Sequence, residues 1–235
     1  MKNELGTTVH YPRLDEPEEY LVRIPAGEVT LEGNLHLTPD AGGIVVFAHG
    51  SGSSRHSPRN RFVARHLQEV GLATLLFDLL TSDEEFAERA TGHLRFDIKL
   101  LARRLAQVTD WLRQQPQTRA LKTGYFGAST GAAAALVAAA EHPRGVSAIV
   151  SRGGRPDLAG AALARVKAPT LLLVGGEDAV VIDLNKEAFE QLQVEKKLQI
   201  IPGATHLFEE PGALEEVADL ARQWFEHHLA PAWQS

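Results

Sequence analysis

The segment from Lys122 to Ala140, KTGYFGASTGAAAALVAAA, places the strictest limits on how this chain can fold. A short apolar run begins at Ala120 and ends at Phe126, and an almost unbroken alanine run follows Gly131. The first run has the composition of a buried strand, and the second that of a helix built from small residues. The few residues between them have to reverse the chain, so the turn must be tight.

That turn, GASTG, has the pattern Gly-x-Ser-x-Gly with Ser129 at its centre. A serine on so sharp a turn has a strained backbone, and side chains two positions away would collide, so Gly127 and Gly131 provide the room. The turn lifts the Ser129 hydroxyl clear of the sheet, at the positive end of the helix. The pattern in this context predicts a catalytic nucleophile. The alternative, a glycine-rich turn with a capping serine, leaves a suitably ordered Asp and His downstream unexplained.

The composition excludes several classes of protein. The net charge of −6 over 235 residues gives no basic footprint for nucleic acid. The absence of cysteine rules out disulfides, thiolate metal sites and a thiol nucleophile, and it fits a reducing compartment. The N-terminus lacks an apolar core, and residues 131–140, the longest weakly polar run, are too short to cross a bilayer. We therefore expect a cytoplasmic protein that binds neither nucleic acid nor membrane.

Strands alternate with helices along most of the chain. Residues 1–18 are polar and are predicted to be an irregular lead-in, and residues 19–235 are predicted to form a single domain. Alternating residues at 19–24 and 29–37 predict an antiparallel hairpin, on whose open edge copies of the chain could pair into a homo-oligomer. Apolar runs predict strands at 44–48, 72–77, 120–126, 146–150, 170–174 and 198–201, with helices near 62–70, 84–88, 93–114, 158–164, 182–193 and 214–228. This order predicts an α/β fold with a mostly parallel, doubly wound sheet after the N-terminal hairpin.

Ligands of such a sheet bind outside the carboxyl ends of its strands. Ser129, Asp178 and His206 each follow a predicted strand and therefore fall on one rim. The glycine- and serine-rich stretch 49–54 also follows a strand, and it exposes backbone N–H groups of the kind that an oxyanion needs.

The order Ser, Asp, His resembles that of the α/β-hydrolase fold. GASTG looks like its nucleophile elbow, GGEDAVV like its acid turn and GATHLF like its histidine loop. The run HGSGSSRHSPRNR and the lack of a large insertion resemble the dienelactone hydrolase branch, and the resemblance covers nearly the whole chain. It implies a dienelactone hydrolase-like serine hydrolase with no large cap domain. Dienelactone hydrolases use a cysteine nucleophile, so the serine argues against dienelactone as the substrate.

The chemistry assigns a role to each residue. Ser129 attacks an acyl carbon, His206 accepts its proton and later passes it to the leaving group, and Asp178 orients the imidazole and stabilises the imidazolium. The backbone N–H groups of Thr130 and Ser51 are the predicted oxyanion hole. We expect a small ester or lactone as substrate, cleaved through an acyl-enzyme, with no metal or organic cofactor, since the histidines show no ligand spacing.

Each assignment has an alternative. Asp178 could merely cap the helix that follows, and Glu177 and Asp183 compete for the acid role. His206 is favoured because it lies in a loop just beyond the last strand, whereas His49 is expected to brace the glycine loop rather than act as a second base. The other histidines considered are His36, His142, His227 and His228, which are interpreted as surface, capping or helix-dipole residues.

Arginines near the rim allow two interpretations. Arg55 and Arg152 are candidates for holding an anionic substrate group through a bidentate contact, and His56 and Ser57 could join them. Solvated loop charge, or pairing with the acidic segment at 83–88, is the alternative for these two and for Arg59, Arg61 and Arg155.

Other functions remain open for the same chain. An amidase, peptidase or acyltransferase could use the same three residues, and a catalytically silent member of the fold could bind a small ligand or a protein partner. Dehalogenase and epoxide hydrolase chemistry is disfavoured because it needs a carboxylate at the elbow, where Ser129 stands.

Overall fold

One sheet of eight strands runs through the computed structural model, which describes residues 18–230. The strands are β1 (Glu18–Ala26), β2 (Val29–Leu37), β3 (Gly43–Ala48), β4 (Ala73–Phe77), β5 (Lys122–Ala128), β6 (Ala148–Arg152), β7 (Thr170–Gly175) and β8 (Lys196–Ile201). Their order is β1-β2-β4-β3-β5-β6-β7-β8, antiparallel from β1 to β4 and parallel from there to β8. The predicted lead-in over residues 1–18 lies outside the described residues, apart from Glu18, where β1 begins.

Helices cover both faces of the sheet. They are α1 (Pro58–Gln68), α2 (Ser82–Thr91), α3 (Ile98–Gln114), α4 (Thr130–Glu141), α5 (Ala179–Gln191) and α6 (Ala213–Leu229), with 3₁₀ segments at Leu94–Phe96 and Pro156–Arg165. Apolar residues of α1 and α6 form one core cluster with the sheet, and those of α3, α4 and α5 form the other. The predicted α/β-hydrolase fold, with its N-terminal antiparallel hairpin, is confirmed.

The inner strands are apolar on both faces because each face is covered. On β3, Ile44 and Val46 join the cluster under α3 and α4, whereas Val45 and Phe47 join the cluster under α1 and α6. This alternation between two cores is why the run reads as unbroken in the sequence.

Several element boundaries differ from the prediction by a few residues, among them those of α1, α2 and α5, and two of the differences have a clear physical reason. The helix predicted from residue 93 begins as α3 at Ile98, because the Asp97 carboxylate caps it by accepting from the Leu100 N–H at 3.0 Å. The strand predicted at 146–150 is β6 and runs on to Arg152, which pairs with Ala128. Polar Ser151 and Arg152 end the apolar run, but the backbone ladder does not depend on side-chain polarity.

No cap covers the carboxyl end of the described sheet between β6 and β7. Residues 153–169 contain only the 3₁₀ segment Pro156–Arg165, which packs against α4 and α5. Within residues 18–230 no helix is both long and apolar enough to cross a membrane.

Candidate active site

Ser129 stands alone between β5 and α4 in a strained conformation. Its φ of 50° and ψ of −122° lie in a region that residues other than glycine rarely adopt. Hydrogen bonds hold it there: its N–H donates to the Arg152 carbonyl at 3.2 Å, and its carbonyl accepts from the Arg155 and Ala132 N–H groups, each at 3.1 Å. The segment that follows β6 thus fixes the backbone of the predicted nucleophile.

The glycines of the turn are required by close packing, as the sequence pattern predicted. A Cβ on Gly127 would lie 2.4 Å from the Ala132 Cα, and one on Gly131 would lie 2.2 Å from the Ala48 carbonyl oxygen. Neither position can hold a methyl group without displacing backbone. The elbow is therefore wedged between its own helix and the end of β3.

Asp178 and His206 meet at the same rim. The Nδ1 atom of His206 lies 2.6 Å from Oδ2 of Asp178. Because a carboxylate only accepts, Nδ1 carries the proton and Nε2 is left as the basic nitrogen. Asp178 is the N-cap residue of α5, but its side chain makes no capping hydrogen bond, so its contact with the imidazole replaces the capping role considered from the sequence.

The competing acids point elsewhere. Glu177 is exposed and contributes its backbone N–H to the Ala204 carbonyl, while Asp183 is exposed and pairs with Lys186 at 3.4 Å. Of the three acids considered from the sequence, Asp178 is the one that contacts His206.

The two predicted oxyanion donors lie next to each other. Thr130 opens α4, and the N–H groups of a first helical turn have no acceptor within their own helix. The N–H of Ser51 donates to the Thr130 hydroxyl at 3.0 Å, and a Cβ on Gly50 would lie 3.0 Å from the Ser129 Cβ. The glycine loop therefore packs directly onto the elbow, but the Ser51 N–H would have to share its existing bond with an oxyanion.

His49 braces this loop from behind. Its Nε2 accepts from the Leu79 N–H at 3.0 Å, so Nδ1 carries the proton and donates to the Gly50 carbonyl at 2.9 Å. Burial lowers the pKa of His49, which keeps the ring neutral. These contacts give the structural role expected from the sequence.

Comparison with known proteins places this geometry in a family. Residues 33–229 match the model of the dienelactone hydrolase family. The chain belongs to the dienelactone hydrolase family. A dienelactone hydrolase from Anabaena variabilis is 65% identical, with a TM-score of 0.89 over 90% of this chain and 98% of that chain.

Two further comparisons extend this result. An α/β serine hydrolase without a lid from Xanthomonas campestris shares the fold at 21% identity, with a TM-score of 0.69 over 92% of this chain and 96% of that chain. Proteins of two Mycobacterium tuberculosis strains that are named putative phosphoribosyl transferase are 60% identical over 208 residues. That match takes in 88% of this chain but only 46% of the relatives, so the chain spans about half of their length.

Arg55 makes its polar contacts within the protein, and a role in substrate binding stays a prediction. In this dienelactone hydrolase family member its guanidinium binds the Asp78 carboxylate through Nη1, Oδ1 of Asn34 through Nε at 3.1 Å and Oε2 of Glu32 through Nη2 at 2.8 Å. The backbone N–H of Arg55 also donates to Asp78, at 2.7 Å. These contacts attach the glycine loop to β2 and to the end of β4. The partners of Arg55 are therefore not the acidic residues at 83–88 that the sequence offered as an alternative.

Arg152, the other candidate, lies beside the nucleophile but is almost fully buried. Its side chain points to the face covered by α1 and α6, where its Nη2 lies 3.4 Å from the Asn60 side-chain oxygen. Sequence reasoning did not identify Asn60 and Phe208 as neighbours of Arg152. The ring centroid of Phe208 lies 5.9 Å from the guanidinium carbon of Arg152. Both stand in runs that carry the family resemblance, Asn60 in HGSGSSRHSPRNR and Phe208 in GATHLF, but nothing in those runs gives either side chain a role. The two-residue period of β6 is the one signal for the direction of Arg152.

An open cleft of about 630 Å³ lies beside the glycine loop. It is lined by Ser51, Gly52, Ser53, Ser54, His56, Ser57, Pro58, Arg59, Asp78, Leu80, Ser82 and Glu85. Helix α2 supplies Ser82 and Glu85, so the acidic segment shades this cleft without enclosing it.

One cluster among the described residues has a donor set that could hold a metal ion. Glu195, His227 and His228 bring their ligand atoms within 4.8 Å of one another. They lie where β8 begins and α6 ends, at the edge of the sheet opposite to Ser129. Such a site would have no part in chemistry at the elbow.

Proposed function

We propose that this chain is a serine hydrolase that cleaves a small ester or lactone through an acyl-enzyme. The observation that carries the proposal is the 2.6 Å contact between His206 Nδ1 and Asp178 Oδ2, on the rim where strained Ser129 stands. A carboxylate at Nδ1 makes Nε2 a base, which is what a serine hydroxyl requires.

The arrangement supports a two-step mechanism. The Ser129 oxygen attacks the acyl carbon as His206 Nε2 takes its proton, and the Thr130 N–H stabilises the negative oxygen that forms. The imidazolium then protonates the leaving alcohol. Water, activated by the same nitrogen, hydrolyses the acyl-enzyme and restores Ser129.

Family membership supports a hydrolase, and a serine in place of the cysteine of dienelactone hydrolases supports a different ester. We also propose that the transferase name of the Mycobacterium tuberculosis relatives describes the part of them that this chain does not span, because this chain matches a hydrolase family. Lack of cysteine supports a cytoplasmic location.

Labelling with a fluorophosphonate tests the proposal. The wild-type protein should be labelled once and lose esterase activity, while Ser129→Ala should resist labelling and lose about 10⁴-fold or more in kcat. A Ser129→Ala protein that keeps more than a tenth of the wild-type kcat would refute the mechanism. A folded wild-type protein that is neither labelled nor active on any ester would instead favour the silent, ligand-binding alternative.

A further inference from the structure

Arg152 carries a positive charge that the described structure leaves largely unpartnered. Its residue is only 8% exposed, and its Nε and Nη1 atoms are buried with no hydrogen-bond partner. Among the described residues, the single polar contact of the guanidinium is the long one to Asn60, at 3.4 Å. Burial lowers its pKa to about 10, the mark of a cation removed from water without an anion beside it.

The charge that acts on Arg152 has the same sign. Arg59 adds to the lowering of the Arg152 pKa by repulsion, and its own Nε is buried without a partner. The Nη1 atom of Arg59 pairs with Oε1 of Glu209 at 3.0 Å, on the solvent side, where Glu209 is 64% exposed. An exposed pair of this kind offsets little of a buried charge.

A third source of positive potential meets the two guanidinium groups. Helix α1 begins at Pro58 with Ser57 as its N-cap, and Asn60, which Arg152 contacts, lies in its first turn. Pro58 has no N–H and the Asn60 N–H donates to the Ser57 hydroxyl at 3.3 Å, so the helix dipole is what attracts an anion to this turn. Ser57 and Arg59 line the 630 Å³ cleft that also reaches Ser51, together with Glu85 and with Asp78, whose carboxylate is paired with Arg55. Arg152 is outside that lining and reaches the same helix turn through Asn60.

This positive cluster is joined to the predicted catalytic residues. The Arg152 carbonyl accepts the Ser129 N–H at 3.2 Å, and Phe208, against which the guanidinium lies, is two residues beyond His206. A group held here is therefore next to an acyl group attached at Ser129.

We propose that Arg59 and Arg152, at the first turn of α1, bind a phosphate group, and that the ester cleaved at Ser129 carries a phosphomonoester. The substrate class rests on the proposed function, whereas the phosphate site does not. A dianion matches two guanidinium charges and a helix N-terminus, and its oxygens can accept from several N–H groups at once. A carboxylate, with two oxygens and a single charge, offers fewer acceptors to the same donors.

Titration of the Ser129→Ala protein with inorganic phosphate, followed by calorimetry at constant ionic strength, tests the site without any turnover. We expect saturable binding at one site, weakened at least 10-fold by Arg59→Gln and by Arg152→Gln. Arg61→Gln is the matched control, because Arg61 is exposed on the same helix and this substitution removes the same charge. The control substitution should change the affinity for phosphate less than 2-fold. Absence of saturable binding, or equal weakening by Arg61→Gln, would overturn the proposal.

A conservative variant and a second anion distinguish phosphate binding from misfolding and from general anion binding. Arg59 is partly exposed, so Arg59→Gln should fold even if Arg152→Gln does not, and Arg152→Lys should keep the charge but bind phosphate more weakly than the parent. Succinate replaces phosphate in a parallel titration, and succinate binding as tight as phosphate would refute the phosphate assignment. In the active protein, phosphate should raise the KM for 4-nitrophenyl acetate and leave kcat unchanged; phosphate binding without any esterase activity would refute the proposed function and keep the site.

Discussion

At the scale of single residues, the proposed role of the Asp178 carboxylate is to act through the imidazole of His206. The carboxylate lies 2.6 Å from Nδ1 and is 16% exposed, so its negative charge is poorly screened by water. Asp178→Asn should lower kcat by about 10⁴-fold, because an amide can stabilise the wrong tautomer, as it does in serine proteases. Glu177→Gln, which neutralises the exposed neighbour, is the control and should leave kcat within about 3-fold. The measurement is kcat on 4-nitrophenyl acetate, and the opposite ranking would transfer the acid role to Glu177.

His49 makes stability depend on pH in a defined direction. Burial holds its folded-state pKa below the ordinary value of about 6.5, so the unfolded chain takes up the proton first as pH falls. The free energy of unfolding should therefore decline as pH drops through about 6.5 and stop declining below the folded-state pKa. His49→Gln should be less stable at pH 8 yet lose less on going to pH 5, as measured by urea unfolding. His142→Gln, a change at an exposed histidine, should keep the wild-type slope; equal slopes for wild type and His49→Gln would contradict the role of His49.

Residue identities with a fixed place in a motif could be read from the sequence, and side-chain directions could not. The contact of Asp178 with His206 was predictable because both follow strands that end on one rim. Arg55 and Arg152 looked equivalent, but one is tied to Asp78 and Glu32, while the other is buried against Phe208. What separates them is the three-dimensional position of partners that are distant along the chain.

At the scale of elements, the join between β5 and α4 tolerates no added volume. Gly131 has an ordinary helical backbone that alanine would itself prefer by about 1 kcal/mol. A Cβ there would nevertheless overlap the Ala48 carbonyl at 2.2 Å, and overpacking of this kind costs about 3 kcal/mol or more. Gly131→Ala should therefore lower the free energy of unfolding despite its better helix propensity.

Gly203→Ala is the control for that change. Gly203 has a φ of +70° with nothing within 4 Å of an added Cβ, so only backbone strain of about 1 kcal/mol applies. Thermal unfolding of both variants gives the comparison, and a Gly131→Ala protein as stable as the Gly203→Ala protein would mean that the elbow can relax.

Element types were predictable because each face of each strand and helix has a consistent environment. At two of the boundaries that differ from the prediction, a hydrogen bond sets the observed position: Asp97 caps α3 at Ile98, and pairing with Ala128 extends β6 to Arg152. Neither bond leaves a trace in the pattern of apolar residues. The extension of β6 is what brings the Arg152 carbonyl to the Ser129 N–H.

At the scale of the whole molecule, no cap covers the candidate active site within the described residues. The cleft beside the elbow is open and lined largely by polar groups, and residues 153–169 contribute a 3₁₀ segment rather than a cap. A long acyl chain there stays in water, and each CH₂ contributes about 0.8 kcal/mol only when water is excluded. 4-Nitrophenyl acetate and butyrate should therefore show higher kcat/KM than the octanoate and dodecanoate, with no jump in rate above the critical micelle concentration. A kcat/KM that rises steadily with chain length would reveal an apolar tunnel.

The complete burial of Thr130 to Ala140 in α4 limits which parts of such a protein can evolve. Every residue from Thr130 to Ala140 is buried, between the sheet on one side and α3 and the 3₁₀ segment on the other. Almost any enlargement there would disrupt the packing before it altered a substrate preference, so the helix that follows Ser129 tolerates little variation. New specificities are expected instead from the loops at 49–57, 153–155 and 202–212, at positions other than His49, Ser51 and His206. A library of variants aimed at a new ester should randomise those loop positions and leave the alanines of α4 unchanged.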